Sequence, residues 1–242
     1  MHLLLTRPTS SDDPLPELLR LHGHTVVRDP LLRIELLPVP DGDIAAVQAL
    51  VVTSSNALRA FQASSARPRL THLPVFAVGA ATAAAARSLG FADVRTGDGR
   101  AGALLPLLTA HLWPTAGHLL YLRGEHVAVD LEPQLVSDNF TVRSQIVYRA
   151  IPARSFAAET VAGFVRGLIE GVVLLSPRTA ETYAELAEAA GLARKLAHVT
   201  HFCLSLRIAE ALAGLDDVRV RSPSRPEVQE LVALIDLSAT QS

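Results

Sequence analysis

The sequence predicts an α/β fold with two duplicated parallel-sheet domains, and three features point to it. Short apolar runs alternate with amphipathic runs of helix length along the 242 residues, which is typical of βα units whose sheet is covered on both faces. The composition is 49% hydrophobic, 19% charged and only 5% aromatic, and its many Ala, Leu and Val residues suit helices packed on parallel strands. Segments of one part of the chain also recur in another part.

Ten short runs rich in Leu, Val and other β-prone residues are the predicted strands. In order, they cover residues 2–6, 25–29, 49–54, 74–79, 92–96, 117–123, 141–150, 172–176, 200–205 and 217–221. A helix-length segment separates most of them. The helix predicted over 12–22 illustrates these segments, because Leu15, Leu18 and Leu19 recur at helical spacing and Gly23 ends the run.

Two extended segments interrupt the alternation, at 32–40 and 144–152. Each is β-prone and each leads through proline to a new helix start. We interpret them as crossings between domains that together form a two-stranded ladder. The first domain would then be discontinuous, with residues 1–31 plus 153–242, and the second would be 41–143.

An internal repeat supports this division into two domains of one fold. Three pairs of segments match: VVTSSNALRAF (51–61) with VLLSPRTAETY (173–183), VFAVGAATAAAARSLG (75–90) with HFCLSLRIAEALAGLD (201–216), and HLLLTRP (2–8) with HLLYLRG (118–124). The two domains are therefore predicted to be duplicated copies.

The charge pattern limits the classes of partner. A formal net charge of −2 provides no global field that would attract nucleic acid or an anionic membrane. No run approaches the roughly 20 apolar residues of a membrane span, so neither nucleic acid nor membrane is an expected partner. Lys195 is the one lysine, so the local cations that could meet an anionic ligand are arginines, whose guanidinium binds carboxylates through two hydrogen bonds.

Cysteine and histidine usage argues against a metal or a disulfide. Cys203 is the one cysteine, which excludes an internal disulfide and indicates a reducing, cytoplasmic location. The closest histidine pairs, His22/His24 and His198/His201, have no carboxylate or thiol beside them at ligand spacing. We expect no metal.

Small polar residues and arginines cluster where the predicted strands end. In an open parallel sheet, ligands bind beyond these carboxyl ends, where loop amides and helix amino-termini offer N–H groups. The candidate binding residues are Arg7, Ser176 and Arg207 in the first domain, and Thr53, Ser54, Ser55, Gly79, Thr82 and Arg123 in the second. Two interpretations stay open at this point, ligand contacts or ordinary helix caps and surface ion pairs.

The sequence offers little else for chemistry. No Ser, His and Asp set stands at a recognisable nucleophile spacing, and VGAATA (78–83) has too few glycines for a dinucleotide site. Tyr148 lies in the second crossing, and its phenol can donate a hydrogen bond or a proton. A partly buried structural tyrosine is the competing interpretation.

The motif set resembles the uroporphyrinogen-III synthase family across nearly the whole chain. The matching elements, in order, are LLTRP, VVTSSNALRAF, VFAVGAATAAAARSLGF, VYRAIP and VVLLSPRTAETYAEL. The resemblance implies two flavodoxin-like domains, an active site in the cleft between them, and no cofactor. It also implies that the enzyme is a lyase that closes hydroxymethylbilane to uroporphyrinogen III, with loss of water and inversion of the last pyrrole through a spiro intermediate.

The resemblance further implies roles for particular residues and partners. Arg7, Thr53, Ser54, Gly79, Thr82 and Ser176 map onto ligand contacts, and Tyr148 onto the proton donor. The chain would act as a monomer, with hydroxymethylbilane synthase as a transient partner. The family commonly has Gly, Pro, Thr, Thr before the late helix, where this chain has SLRIA (205–209). Arg207 either replaces those hydroxyls or marks a divergent member.

Two other functions stay open on the sequence. The duplicated fold could serve a non-catalytic tetrapyrrole-binding or regulatory module, or a binder of small molecules unrelated to tetrapyrroles, since such scaffolds host many functions. Conversion of hydroxymethylbilane separates the three.

Overall fold

The computed structural model describes residues 1–8, 13–39, 46–99, 101–127 and 129–240. The chain divides into two compact units, unit 1 with Met1–Arg33 and Ile151–Ser242, and unit 2 with Ile34–Ala150. The predicted starts of the first helix, at residue 12, and of the second domain, at residue 41, lie outside the described residues.

The described ranges contain two sheets, and each of the ten predicted strands overlaps an observed one. The strands are β1 (His2–Leu5), β2 (Thr25–Arg28), β3 (Leu32–Leu36), β4 (Val47–Val52), β5 (Val75–Ala77), β6 (Val94–Thr96), β7 (His118–Gly124), β8 (Thr141–Pro152), β9 (Gly171–Leu174), β10 (Thr200–Cys203) and β11 (Arg219–Arg221). The two predicted crossings correspond to β3 and to the second part of β8, which are neighbours in one sheet.

Helices separate most of these strands. They are α1 (Leu15–Leu21), α2 (Ser55–Gln62), α3 (Arg67–Leu70), α4 (Ala80–Ser88), α5 (Leu104–Thr109), α6 (Glu132–Ser137), α7 (Ala158–Val165), α8 (Pro177–Ala189), α9 (Ala193–Leu196), α10 (Leu206–Glu210) and α11 (Val228–Ala239), with a 3-10 turn at Ala101–Ala103. No helix among the described residues has the length and apolar content that crossing a membrane requires.

The sheet of unit 1 has the strand order β2-β1-β9-β10-β11, with parallel pairing throughout. This is the flavodoxin-like order 2-1-3-4-5. Leu15 of α1 and Ile235 of α11 pack on one face of the sheet, while Phe164 of α7 and Tyr183 of α8 pack on the other. Because apolar side chains cover both faces, the central strands β1, β9 and β10 are buried along most of their length. The outer strands β2 and β11 are half-buried or exposed.

The sheet of unit 2 has the order β3-β8-β7-β4-β5-β6, and the pairs from β8 to β6 are parallel. Counted from β4, the strands β6-β5-β4-β7-β8 follow the order 3-2-1-4-5. Helices α2 and α4 cover one face through Leu58, Phe61 and Ala83. Helices α5 and α6 cover the opposite face through Leu104 and Leu135.

Each unit therefore has a switch point, where the connections that follow two neighbouring strands leave on opposite faces of the sheet. In unit 1 it lies between β1, which leads to α1, and β9, which leads to α8. In unit 2 it lies between β4, which leads to α2, and β7, which leads to α6. The diverging connections open a crevice beyond the carboxyl ends of the strands, and open α/β sheets bind their ligands there.

A buried polar pair ties β10 of unit 1 to α8. The hydroxyl of Tyr183 lies 2.9 Å from Nε2 of His201, and Nδ1 of His201 lies 3.3 Å from the carbonyl oxygen of Arg219. Because that carbonyl can only accept, Nδ1 donates to it and Nε2 accepts from the phenol, so the imidazole is neutral. Burial lowers the pKa of His201 to about 4 and raises that of Tyr183.

A second polar cluster joins the amino-terminal and carboxyl-terminal segments of unit 1. Nδ1 of His22 lies 2.7 Å from one carboxylate oxygen of Asp236, and Nε2 of His24 lies 2.8 Å from the other. Sequence spacing gave no carboxylate for this histidine pair, because Asp236 is more than 200 residues away in the chain. Partial burial raises the pKa of Asp236, but the hydrogen bonds from His24 and His22 outweigh this effect, so the pKa lies below its ordinary value. Among the described residues, neither this cluster nor any other group of three or more His, Cys, Asp or Glu side chains could hold a metal ion.

Candidate functional site

At the carboxyl end of β4, the chain turns into α2 through Thr53, Ser54 and Ser55. Ser54 is extended, and its hydroxyl oxygen accepts from the backbone N–H of Asn56 at 3.2 Å. That is an N-cap, so the cap interpretation holds for Ser54. Thr53 and Ser55 are half-buried beside it. The repeat places Ser176 at the equivalent position of unit 1.

After β5, the chain enters α4 through Gly79, which has no side chain to cap the helix. Gly79 is the extended N-cap residue and no side chain caps this helix. Thr82 lies buried in the first turn. An uncapped first turn leaves backbone N–H groups that an anionic ligand can accept from.

Arg123 lies near the end of β7, next to the switch point of unit 2. Its side chain is half-buried, and its one hydrogen bond among the described residues is a long one, 3.4 Å, from an Nη atom to the carbonyl of Gly124. Its Nε is buried without an acceptor. Within the described ranges no carboxylate pairs with Arg123, so its guanidinium can bind a ligand carboxylate.

Tyr148 lies in β8, opposite Gly124 of β7. A Cβ atom at Gly124 would lie 2.6 Å from Cζ and 2.8 Å from the hydroxyl oxygen of Tyr148. Only glycine therefore allows the ring to lie over this strand end. The side chain is half-buried, and its hydroxyl makes no hydrogen bond to any residue that the structure describes, so the phenol is free to donate to a ligand.

The corresponding edge of unit 1 holds the remaining candidates. Arg7, after β1, binds Asp13 at 2.9 Å, and the Asp13 side chain is 1% exposed. Arg7 therefore fits the interpretation as an ion pair, whereas Arg123, which has no carboxylate partner among the described residues, does not. The hydroxyl oxygen of Ser176 accepts from the N–H of Thr179 at 3.1 Å and caps α8. Arg207 is exposed in α10, without an ion pair to any described residue.

The one thiol of the chain is not a catalytic candidate. Cys203 is fully buried at the end of β10. Burial raises its pKa to about 12, so the reactive thiolate is not formed near neutral pH.

A family model described as "Uroporphyrinogen-III synthase HemD" matches residues 13–233. The chain belongs to this uroporphyrinogen-III synthase family. A solved uroporphyrinogen-III synthetase from Helicobacter pylori is similar, with a TM-score of 0.68 at 16% identity, covering 99% of this chain and 100% of that chain. A mutant uroporphyrinogen III synthase from Thermus thermophilus matches with a TM-score of 0.60 at 19% identity, covering 100% of both chains. No curated protein gave a significant match.

The two solved synthases confirm the predicted fold class. At such low identity the likeness concerns the fold and assigns no residue. The site residues predicted here, with Tyr148 first among them, therefore stay predictions. The departure at Ser205 to Ala209 is visible in the structure, where Ser205 makes no side-chain cap bond and Arg207 occupies the first turn of α10.

The sequence analysis does not single out one polar residue at the switch point of unit 2. Tyr121 is fully buried in β7, and its hydroxyl makes no hydrogen bond of standard geometry to a described residue, although the Thr53 hydroxyl lies close enough to offset part of the rise that burial causes in its pKa. A signal existed in the repeat, because HLLYLRG places Tyr121 where HLLLTRP has Leu5.

Proposed function

We propose that this chain cyclises hydroxymethylbilane to uroporphyrinogen III as a lyase, with Tyr148 as the proton donor. Family membership supports the activity. The observation that supports the residue is the phenol of Tyr148, which lies over Gly124 without a hydrogen-bond partner among the described residues. A donor held at a strand end by close packing is the preorganised group that assistance to a leaving hydroxyl requires.

The protein has little covalent chemistry to perform in this reaction. The terminal pyrrole supplies the electron pair that expels the hydroxyl, and Tyr148 donates a hydrogen bond and then a proton as the C–O bond breaks and water leaves. The resulting azafulvenium cation joins the substituted carbon of the far pyrrole, and the spiro intermediate fragments and recloses with the last ring inverted. The proton that the pyrrole α-carbon loses on reclosure returns to the Tyr148 phenolate. The remaining task is to hold the chain of pyrroles in the productive fold.

Carboxylate binding supplies this orientation in the proposal. The substrate bears eight carboxylates, and Arg123 offers a half-buried guanidinium that has no carboxylate partner in the described ranges. The uncapped first turn of α4 adds N–H groups at the same sheet edge. Arg207 adds an exposed cation at the edge of unit 1. Charge-assisted contacts of this kind orient a substrate as well as bind it.

The remaining assignments follow from the same proposal. The chain works in the cytoplasm as a monomer and without a cofactor, and it receives its substrate from hydroxymethylbilane synthase through a transient contact. Residues near the carboxyl ends of the strands in each unit serve as secondary ligand contacts: Arg7, Thr53, Ser55, Thr82 and Ser176.

We predict that replacing Arg123 by Ala raises the apparent KM about 10- to 100-fold and lowers turnover much less, because a lost charge-assisted hydrogen bond weakens binding by about that factor. Replacing Arg207 by Ala should raise KM less, since Arg207 is exposed. Steady-state kinetics at two salt concentrations measures both effects. Arg69→Ala is the matched control, because Arg69 is exposed on α3, which leads to the opposite end of β5.

An Arg123 variant that keeps the wild-type KM and salt dependence would show that this guanidinium does not bind the substrate. A large effect of Arg69→Ala would instead indicate a general electrostatic effect of the surface.

The rate of hydroxymethylbilane consumption tests the proposed function. Freshly prepared substrate closes slowly without an enzyme, and the chain should accelerate its disappearance in proportion to protein concentration. A non-catalytic tetrapyrrole-binding module would bind product in calorimetry yet leave this rate at its background value.

A further inference from the structure

Two tyrosines are fully buried in the described part of the chain, and they differ in their partners. The hydroxyl of Tyr183 donates to His201. That of Tyr121 has no hydrogen bond of standard geometry. A buried hydroxyl without a partner destabilises the fold relative to an apolar side chain of the same shape, so the presence of a phenol at this position needs another reason.

The duplicated unit shows that the fold does not need the hydroxyl. In the repeat, Tyr121 corresponds to Leu5, and Thr53 corresponds to Leu175. Leu5 is buried at the same place in β1 and packs with apolar neighbours. An apolar pair therefore fills the switch point of unit 1, whereas unit 2 has two hydroxyls there.

Tyr121 lies on the sheet face that carries the other donors of this edge. It stands opposite Val51 in the register of β4 and β7, and side chains two residues apart in a strand share a face. Arg123 and Thr53 therefore lie on the face of Tyr121, towards the carboxyl ends of the strands.

The same neighbours affect the phenol electrostatically. Burial raises the pKa of Tyr121, and the neighbouring Thr53 hydroxyl and Arg123 guanidinium counteract part of the rise, while Asp130 and Tyr148 add to it. Nε of Arg123 is, like the phenol oxygen, buried without a partner among the described residues. Two unsatisfied polar groups and a half-buried hydroxyl thus meet at the switch point.

We propose that Tyr121 is a positioning residue for a carboxylate subsite at the switch point of unit 2. Its phenol donates to the oxygen of Thr53 when the ligand binds, and Thr53 then directs its own proton to a ligand carboxylate that Arg123 also holds. Because the phenol is fully buried, it acts through Thr53 rather than on the ligand. The ligand class is a carboxylate-bearing pyrrole side chain, and this identification rests on the proposed function.

The probe is uroporphyrin III, the oxidised form of the proposed product, titrated against the full chain. Tyr121→Phe should weaken its binding about 3- to 10-fold, the effect of one hydrogen bond, and should leave the melting temperature unchanged or raise it. Tyr183→Phe is the matched control, because it removes the other buried phenol. It should lower the melting temperature and leave binding unchanged.

A double-mutant cycle tests the route through Thr53. If Tyr121 positions Thr53, Thr53→Val should weaken binding by itself, and adding Tyr121→Phe should cost little more. Additive effects, or a Tyr121→Phe variant that binds uroporphyrin III like the wild type, would overturn the inference. If wild-type chain does not convert hydroxymethylbilane but its uroporphyrin III binding depends on Tyr121 and Thr53 as described, the proposed function fails and the subsite stands.

Discussion

Replacing Tyr148 by Phe is expected to lower turnover about 10²- to 10⁴-fold, the usual contribution of a general acid. The substitution keeps the ring that packs over Gly124 and removes only the hydroxyl. Because this hydroxyl has no hydrogen-bond partner among the described residues, thermal stability and KM should change little. Single-turnover kinetics with freshly prepared hydroxymethylbilane, together with a melting curve, measures the three quantities.

Gly124→Ala is the companion variant, since it moves the phenol without removing it. The added Cβ would lie 2.6 Å from the ring, so Tyr148 must shift and turnover should fall although the donor is still present. Wild-type turnover in Tyr148→Phe would assign this residue to structure. A loss in Tyr148→Phe without any loss in Gly124→Ala would show that the position of the phenol is not important.

The free energy of unfolding should fall by about 3 kcal/mol between pH 6.5 and pH 4 through His201 alone. Burial lowers the pKa of this imidazole to about 4 in the folded chain, against the ordinary 6.5. The unfolded chain therefore takes up a proton that the folded chain excludes. This contribution is complete above pH 6.5, is lost as the pH falls, and is gone below about pH 4.

Urea unfolding at several pH values measures the slope, and a double variant isolates the contribution of His201. Tyr183→Phe with His201→Leu replaces both partners of the buried hydrogen bond by apolar groups. Its unfolding free energy should lose about 1.4 kcal/mol less per pH unit than that of the wild type across this range. Asp236 loses its contribution below its ordinary pKa of 3.8, outside the window. Identical slopes in the two proteins would contradict the buried neutral state of His201.

The fold class could be predicted from the sequence because burial on both faces gives parallel strands continuous apolar runs. LLL in β1 is followed by a helical segment, and VVL in β9 stands between two of them. The strand order could not be predicted in this way, since the period of apolar residues carries no information on which strands are neighbours. The repeat predicts two units of similar structure but not their strand order. The structure gives that order as 2-1-3-4-5 in unit 1 and 3-2-1-4-5 in unit 2.

The candidate site was predictable in its location and less so in its contacts. Strand ends are visible in the sequence, so Thr53, Arg123 and Ser176 could be placed at sheet edges. The pairing of Arg7 with Asp13 depends on side-chain geometry that residue types do not encode. The unsatisfied hydroxyl of Tyr121 was hidden for the same reason, because a missing partner can be recognised only when its neighbours are known.

The isomer composition of the product shows whether this chain inverts the last pyrrole as it closes the ring. Hydroxymethylbilane is incubated with the chain, the porphyrinogen that forms is oxidised to porphyrin, and the isomers are separated by chromatography beside a sample without protein. We predict the inverted type III ring with the wild-type chain. We also predict it for the product that Tyr148→Phe forms above the spontaneous background, because in this proposal folding of the substrate depends on the carboxylate contacts rather than on the phenol. A product with only the uninverted type I ring, as in the sample without protein, would contradict the proposed function.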